Sequence, residues 1–183
     1  MGIFREWLFE SGYEEAGELI SQRVPEIQAL LKSIGISHKP PGSVWSNEEN
    51  EMAIQLGKII DSAPETTIPA KSIITLKNLA NKVGQEQLPQ QIAQISGQPD
   101  AAMKFVQLMQ SRDSGEGRNR GYDVSSLIRG IQSGNYEAPV LLKGSNGLIV
   151  IGGRTRLYAA LALGSPIRVK IIDQNTFSGM KRG

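Results

Sequence analysis

Cysteine is absent from the 183 residues and histidine occurs once, at His38. Disulfides, zinc–thiolate centres, thiol nucleophiles and multi-histidine metal sites are therefore excluded. Aromatic residues are few, with two Trp, four Tyr and four Phe. Apolar runs such as 148–151 fall far short of the roughly 20 residues that a membrane-spanning helix needs, so no membrane contact is expected. The opening Met1-Gly2-Ile3-Phe4-Arg5-Glu6-Trp7 is amphipathic and acidic. It lacks the basic start and apolar core of a secretion signal, which leads to the expectation of a cytoplasmic chain. What is present is globular material: 39% hydrophobic and 21% charged residues, too apolar for wholesale disorder and sufficient for one ordinary domain or a domain with a helical appendage.

The net charge of +2 hides a segregation of sign. Residues 1–111 carry nine Lys/Arg against thirteen Asp/Glu, a net of −4, whereas residues 112–183 carry eleven against five, a net of +6. Clustered Lys and Arg raise the local anion concentration and gain by releasing counterions, so the basic part points to a phosphate-bearing partner.

The first hundred residues read as a helical segment. Ala16, Leu19, Ile20, Val24, Ile27, Leu30, Leu31 and Ile34 recur at three- and four-residue spacing, describing one helix or two that meet at Pro25. After the breaker Lys39-Pro40-Pro41-Gly42, Ser46 and Glu49 form a capping box for a helix to about Asp61. Pro64 and Pro69 bracket a short linker, residues 70–83 read as a further helix ended by Gly84, and a short helix begins near Pro89. Residues 101–110 fit either a helix or, from Phe105 to Met109, a strand. Beyond this point the pattern is mixed. Residues 112–121 hold three Gly, three Arg and no apolar residue, which makes an exposed loop. Asp123 stands as N-cap to a helix through Leu127, Ile128 and Ile131, stopped by Gly134. Residues 139–143 and 148–151 are β-prone runs around the hairpin signal Gly144-Ser145-Asn146-Gly147. A helix over 154–163 ends at Gly164, and a last strand spans 167–172. The expected fold class is α+β, with a helical segment over 1–100 and a small mixed sheet flanked by helices over 101–183.

The strongest local signal is Leu148-Ile149-Val150-Ile151-Gly152-Gly153-Arg154-Thr155-Arg156, a strand, two glycines and a helix start. Glycines there let the backbone approach a ligand, the first-turn amides lack helical acceptors, and the helix dipole favours an anion. Arg154 and Arg156 stand where cations are disfavoured by about 0.3–1 kcal/mol each unless an anion lies between them and the dipole. The alternative is that both point into solvent or pair with acids such as Glu137 or Asp123. Gly152, Gly153, Arg154, Thr155 and Arg156 are the candidate phosphate-binding residues. Neither a P-loop string nor the third glycine of a dinucleotide-binding fingerprint is present.

The order Leu127-Ile128-Arg129-Gly130-Ile131-Gln132-Ser133-Gly134, Ala138-Pro139-Val140-Leu141-Leu142 and Gly153-Arg154-Thr155-Arg156-Leu157-Tyr158-Ala159-Ala160 resembles the core of the ParB/sulfiredoxin superfamily over roughly residues 112–173. The resemblance implies a phosphate-gripping helix start, with Gly153 and Arg156 at its two fixed points and Thr155 matching its Gly-x-Thr-Arg variety. Arg154 stands where sulfiredoxins carry their cysteine, so sulfinic acid reduction is excluded. The glutamate of the ParB Gly-Glu-Arg-Arg string is missing, and the upstream arginine element has only Arg112, Arg118 and Arg120 as counterparts. The similarity is to stand-alone ParB-like nucleases of a kind common in bacteriophage genomes.

On this reading the chain acts on a nucleic acid or nucleotide. Arg154 and Arg156 stabilise developing charge, and Glu116 is the catalytic acid of choice. Glu116 and Asp123 hold Mg²⁺, the one cofactor implied, while haem, flavin, NAD and zinc are not expected. Arg112, Arg118, Arg120 and Arg168 are the further nucleic-acid contacts. Asp123 fits a helix cap as well as a metal ligand, and Tyr158 fits packing better than base stacking. Two alternatives stay open: a binding module without turnover, and an assembly protein with an inert site. Residues 1–100 offer a surface for a protein partner or a second copy.

Overall fold

The computed structural model describes residues 16–17, 19–20, 24–36, 44–80, 84–112 and 124–177, the side chains of 111, 112 and 174 excepted. The fold is α+β: among these residues lie seven α-helices and one mixed four-stranded sheet. In chain order the elements are α1 (Pro25–Ser33), α2 (Asn47–Asp61), β1 (Glu65–Ile68), α3 (Ala70–Ile73), α4 (Leu88–Ile95), α5 (Ala101–Arg112) and α6 (Val124–Ser133), then β2 (Val140–Gly144), β3 (Gly147–Gly152), α7 (Arg154–Leu163) and β4 (Ile167–Ile172), followed by a 3₁₀ turn at Gln174–Phe177. The sheet order is β1-β4-β2-β3. Strands β2 and β3 are antiparallel, with Leu141 opposite Val150 and Leu142 opposite Ile149, and Ile151 is the extra residue of a bulge between Val140 and Leu141. Strands β2 and β4 are parallel, with Val140, Leu141 and Leu142 opposite Lys170, Ile171 and Ile172. Among the described residues no helix is long and apolar enough to cross a membrane.

By contact the chain divides into two compact units, one drawn from residues 1–65, 140–152 and 170–183 and the other from 66–139 and 153–169. Both draw on each side of the boundary near residue 100 that the sequence suggested. In the first, Ile27 and Leu31 of α1, Leu56 and Ile60 of α2, Leu142, Ile149 and Ile172 of the strands and Phe177 form one apolar cluster, with Trp45 packed against it. Glu26 of α1 accepts a hydrogen bond from the Ser145 amide at 3.2 Å, and Lys170 donates to the Asp61 carbonyl at the end of α2 at 2.7 Å.

The second unit is built round α7. Helices α3, α4, α5 and α6 all pack on it. Six consecutive residues, Leu157 to Ala162, are buried, so α7 has no solvent face over that stretch and is a core helix. Ala159, Ala160 and Ala162 keep it thin enough for neighbours on several sides. Ile73, Leu88, Ile92, Phe105 and Ile128 supply the surrounding buried side chains.

Three features differ from the sequence expectation or resolve it. Residues 101–110 are helical, within α5. The stretch between Pro64 and Pro69 is strand β1, made by the β-favouring Thr66, Thr67 and Ile68. The helix expected over 70–83 stops after Ile73. Ile73, Ile74 and Thr75 form a β-branched run, the Thr75 hydroxyl donates back to the Ser72 carbonyl at 2.6 Å, and Asn78 adopts a left-handed φ of 62° that no right-handed helix accommodates.

Candidate functional site

Gly152 closes β3 and is buried in the first unit. The second unit resumes at Gly153, the N-cap of α7, with φ 87° and ψ 26°. That conformation is left-handed, and a Cβ at this position would lie 2.7 Å from Cβ and 2.8 Å from Cα of Pro139. Gly153 is thus required twice, by torsion and by space. Being glycine, it has no side-chain oxygen to cap the helix. The Leu157 amide reaches the Gly153 carbonyl at 3.1 Å, closing the first turn, so the amides of 154, 155 and 156 precede the first helical hydrogen bond. Residues 153–156 are all half-buried.

The two arginines are held, not splayed into solvent. Arg154 Nε donates to the Asn78 carbonyl at 3.1 Å. One turn on, the Tyr158 hydroxyl donates to the Leu79 carbonyl at 2.6 Å in a buried bond. Positions 154 and 158 therefore clamp adjacent carbonyls of one loop, and the left-handed Asn78 turns its own carbonyl toward Arg154. Asparagine tolerates that conformation better than other side-chain-bearing residues. Tyr158 packs, as its sequence context indicates, and is no stacking platform.

Arg156 takes a different partner. Its Nη1 donates to the Glu137 carbonyl and lies 3.9 Å from the Glu137 carboxylate, with the arginine side chain 22% exposed and the glutamate 51%. The pairing with Glu137 raised as an alternative at the sequence level is present, on the main chain as well as the side chain. It offsets part of the cost of a cation at a helix start. A guanidinium has five N–H donors, so one main-chain bond positions Arg156 while others stay available to a second acceptor.

Arg168, on β4, is held by a neighbouring ring and by main-chain carbonyls. Its guanidinium stacks on the Tyr136 ring at 4.6 Å and donates to the carbonyls of Gly134 at 2.9 Å and Tyr136 at 3.4 Å, while its own amide donates to the Tyr136 hydroxyl at 2.8 Å. Arg112 ends α5. Glu116, Arg118, Arg120 and Asp123 lie outside the described residues, as do Asp113 and His38. The structure therefore brings together Gly153, Arg154, Thr155 and Arg156 with Asn78, Glu137 and Pro139. Sequence reading missed Asn78 and Pro139 as site-shaping residues because they act through a carbonyl and a ring contact, neither of which leaves a compositional mark.

Charge is segregated between the units as well, though less strongly than between the linear halves. The second unit holds eleven Lys/Arg against six Asp/Glu, a net of +5, and the first holds nine against twelve, a net of −3. Among the described residues no group of three or more His, Cys, Asp or Glu could hold a metal ion. No family model matches the chain, and no curated protein or solved structure matches it either.

Proposed function

We propose that the second unit binds a phosphate-bearing ligand, a nucleic-acid backbone or a nucleotide, at the start of α7, in the manner of the ParB-like proteins that the sequence resembles. One observation carries this reading: a helix start with no capping side chain, its glycine fixed by torsion and by Pro139, and an arginine tethered beside it through the Glu137 carbonyl. An incoming phosphate accepts from the amides of 154–156 and from Arg156, and displaces the exposed Glu137 carboxylate as the counter-charge. The clamp from Arg154 to Asn78 supports this turn and gives Arg154 a positioning role.

Binding is the step that the described residues account for, through the start of α7 and Arg156. Nuclease or nucleotide-hydrolysing activity would rest on Glu116 and Asp123 holding Mg²⁺. A cytoplasmic location, and a protein partner or second copy on residues 1–100, belong to the same proposal.

The test is equilibrium binding of labelled duplex DNA and of a nucleoside triphosphate over a salt series, with product formation followed in Mg²⁺. Arg156→Ala should lose at least about tenfold in affinity for the bound ligand, as expected for one charge-assisted contact of 1.5–3 kcal/mol, with its melting temperature nearly unchanged. Duplex binding should weaken with salt at a log–log slope of about −0.9 per phosphate neutralised. Equal affinity in the wild type and Arg156→Ala, or no binding of either ligand, would contradict the reading. Product that disappears with Arg156→Ala would replace the binding module by the enzyme.

A further inference from the structure

We propose that Asn146 is the preferred site of spontaneous deamidation in this chain, and that its conversion loosens α1 from the β2–β3 turn. Of the eight asparagines, Asn146 alone precedes a glycine. In the others, the side chain of the following residue hinders attack by its own main-chain nitrogen. Ser145, Asn146 and Gly147 are all exposed, and nothing lies within 4 Å of where a Gly147 Cβ would stand, so no neighbouring side chain crowds the turn. The turn is also not the tight type I′ form that an Asn-Gly pair suggests. That form needs a left-handed φ at the asparagine, and Asn78 is the only non-glycine residue with positive φ among those described. Gly147 alone takes a positive φ, 130°.

In the first step the Gly147 nitrogen attacks Asn146 Cγ. The new N–Cγ bond closes a succinimide ring, the Cγ–Nδ2 bond breaks, and ammonia leaves with the proton lost from the Gly147 nitrogen. Water then opens the ring at either carbonyl, leaving Asp at 146 or an isoaspartyl linkage in which the main chain runs through Cβ and Cγ. No oxidant or reductant is involved.

Both products disturb one contact of the first unit. Glu26, on α1, accepts from the Ser145 amide at 3.2 Å, and its Oε2 would stand 2.2 Å from a Cβ at Gly144, which places this carboxylate directly against the turn. A new carboxylate at the next residue puts like charges side by side. The isoaspartyl product also inserts a main-chain atom between Gly144 and Gly147, which are partners in the β2–β3 register.

The full chain is aged in warm neutral buffer, mapped by peptide mass spectrometry with isoaspartyl residues counted by enzymatic methylation, and compared with fresh protein by hydrogen exchange. Asn146 should convert ahead of the other seven asparagines, and aged protein should exchange faster at the amides of α1 than fresh protein does. Asn146→Gln protein aged alike should keep the fresh pattern, and freshly purified Asn146→Asp protein should show the faster exchange without ageing. Earlier conversion at another asparagine overturns the site, and conversion of Asn146 with unchanged exchange at α1 overturns the coupling.

Discussion

At the residue scale, Gly153 carries the most constraint for its size. A methyl group there forces a left-handed L-residue and drives Cβ to 2.7 Å from the Pro139 ring. Gly153→Ala should therefore lose about 2–4 kcal/mol of unfolding free energy in a denaturant titration, combining the torsional cost with overpacking. A loss below about 0.5 kcal/mol, the range of an ordinary surface substitution, would mean that the turn relaxes freely. Asp173 offers a second test at this scale. Its Oδ1 accepts from the Thr176 amide and hydroxyl, each at 3.0 Å, and the Thr176 hydroxyl accepts in turn from the Asp173 amide at 3.0 Å. The Thr176 amide first, then its hydroxyl, hold the Asp173 carboxyl below its ordinary value. Because the folded state favours the ionised form, the stabilisation is complete above the ordinary aspartate range and is lost as pH falls through the lowered value. Titration of the Asp173 carboxyl by NMR should place its midpoint below that of an unstructured aspartate, and Asp173→Asn should remove this part of the acid-side stability loss. A midpoint at or above the ordinary value would refute the Thr176 contribution.

At the element scale, helices with strong punctuation were legible in advance and elements set by main-chain geometry were not. Ser46 and Glu49 satisfy each other's amides at 3.1 and 2.9 Å, as the capping-box spacing indicates. Ser46→Ala should cost about 1 kcal/mol, read from the denaturant midpoint, and no change would show that water caps α2 equally well. The β2–β3 hairpin and the start and end of α7 were equally readable, because Gly144, Gly147, Gly153 and Gly164 mark their ends. Strand β1 was not, since Glu65-Thr66-Thr67-Ile68 is too short to show a period of two between its prolines. Nor was the early stop of α3, where the apolar spacing continues through Leu76 and Leu79 while Asn78 reverses the main chain. The candidate site was half legible. Gly153 and Arg156 stand out as residue types in an unusual place, whereas the Asn78 and Glu137 carbonyls that hold Arg154 and Arg156 have no signature in side-chain order.

At the scale of the whole molecule, charge and burial point the same way. The second unit has a net charge of +5 and is organised round a helix buried over six consecutive residues, so the start of α7 is anchored in the core of the more basic unit. Arg156 is tied to the Glu137 carbonyl, which lowers the ordering cost of engaging an anion with it. Arg168 is held as well, by stacking on Tyr136 and by its bonds to the Gly134 and Tyr136 carbonyls. The most direct measurement is an amide-resolved NMR titration of the full chain with a nucleoside triphosphate and with a short DNA duplex. Saturable shifts that are largest at the amides of 153–156 and that vanish in Arg156→Ala are predicted; shifts centred elsewhere, or unchanged by that substitution, would contradict an anion site at the start of α7.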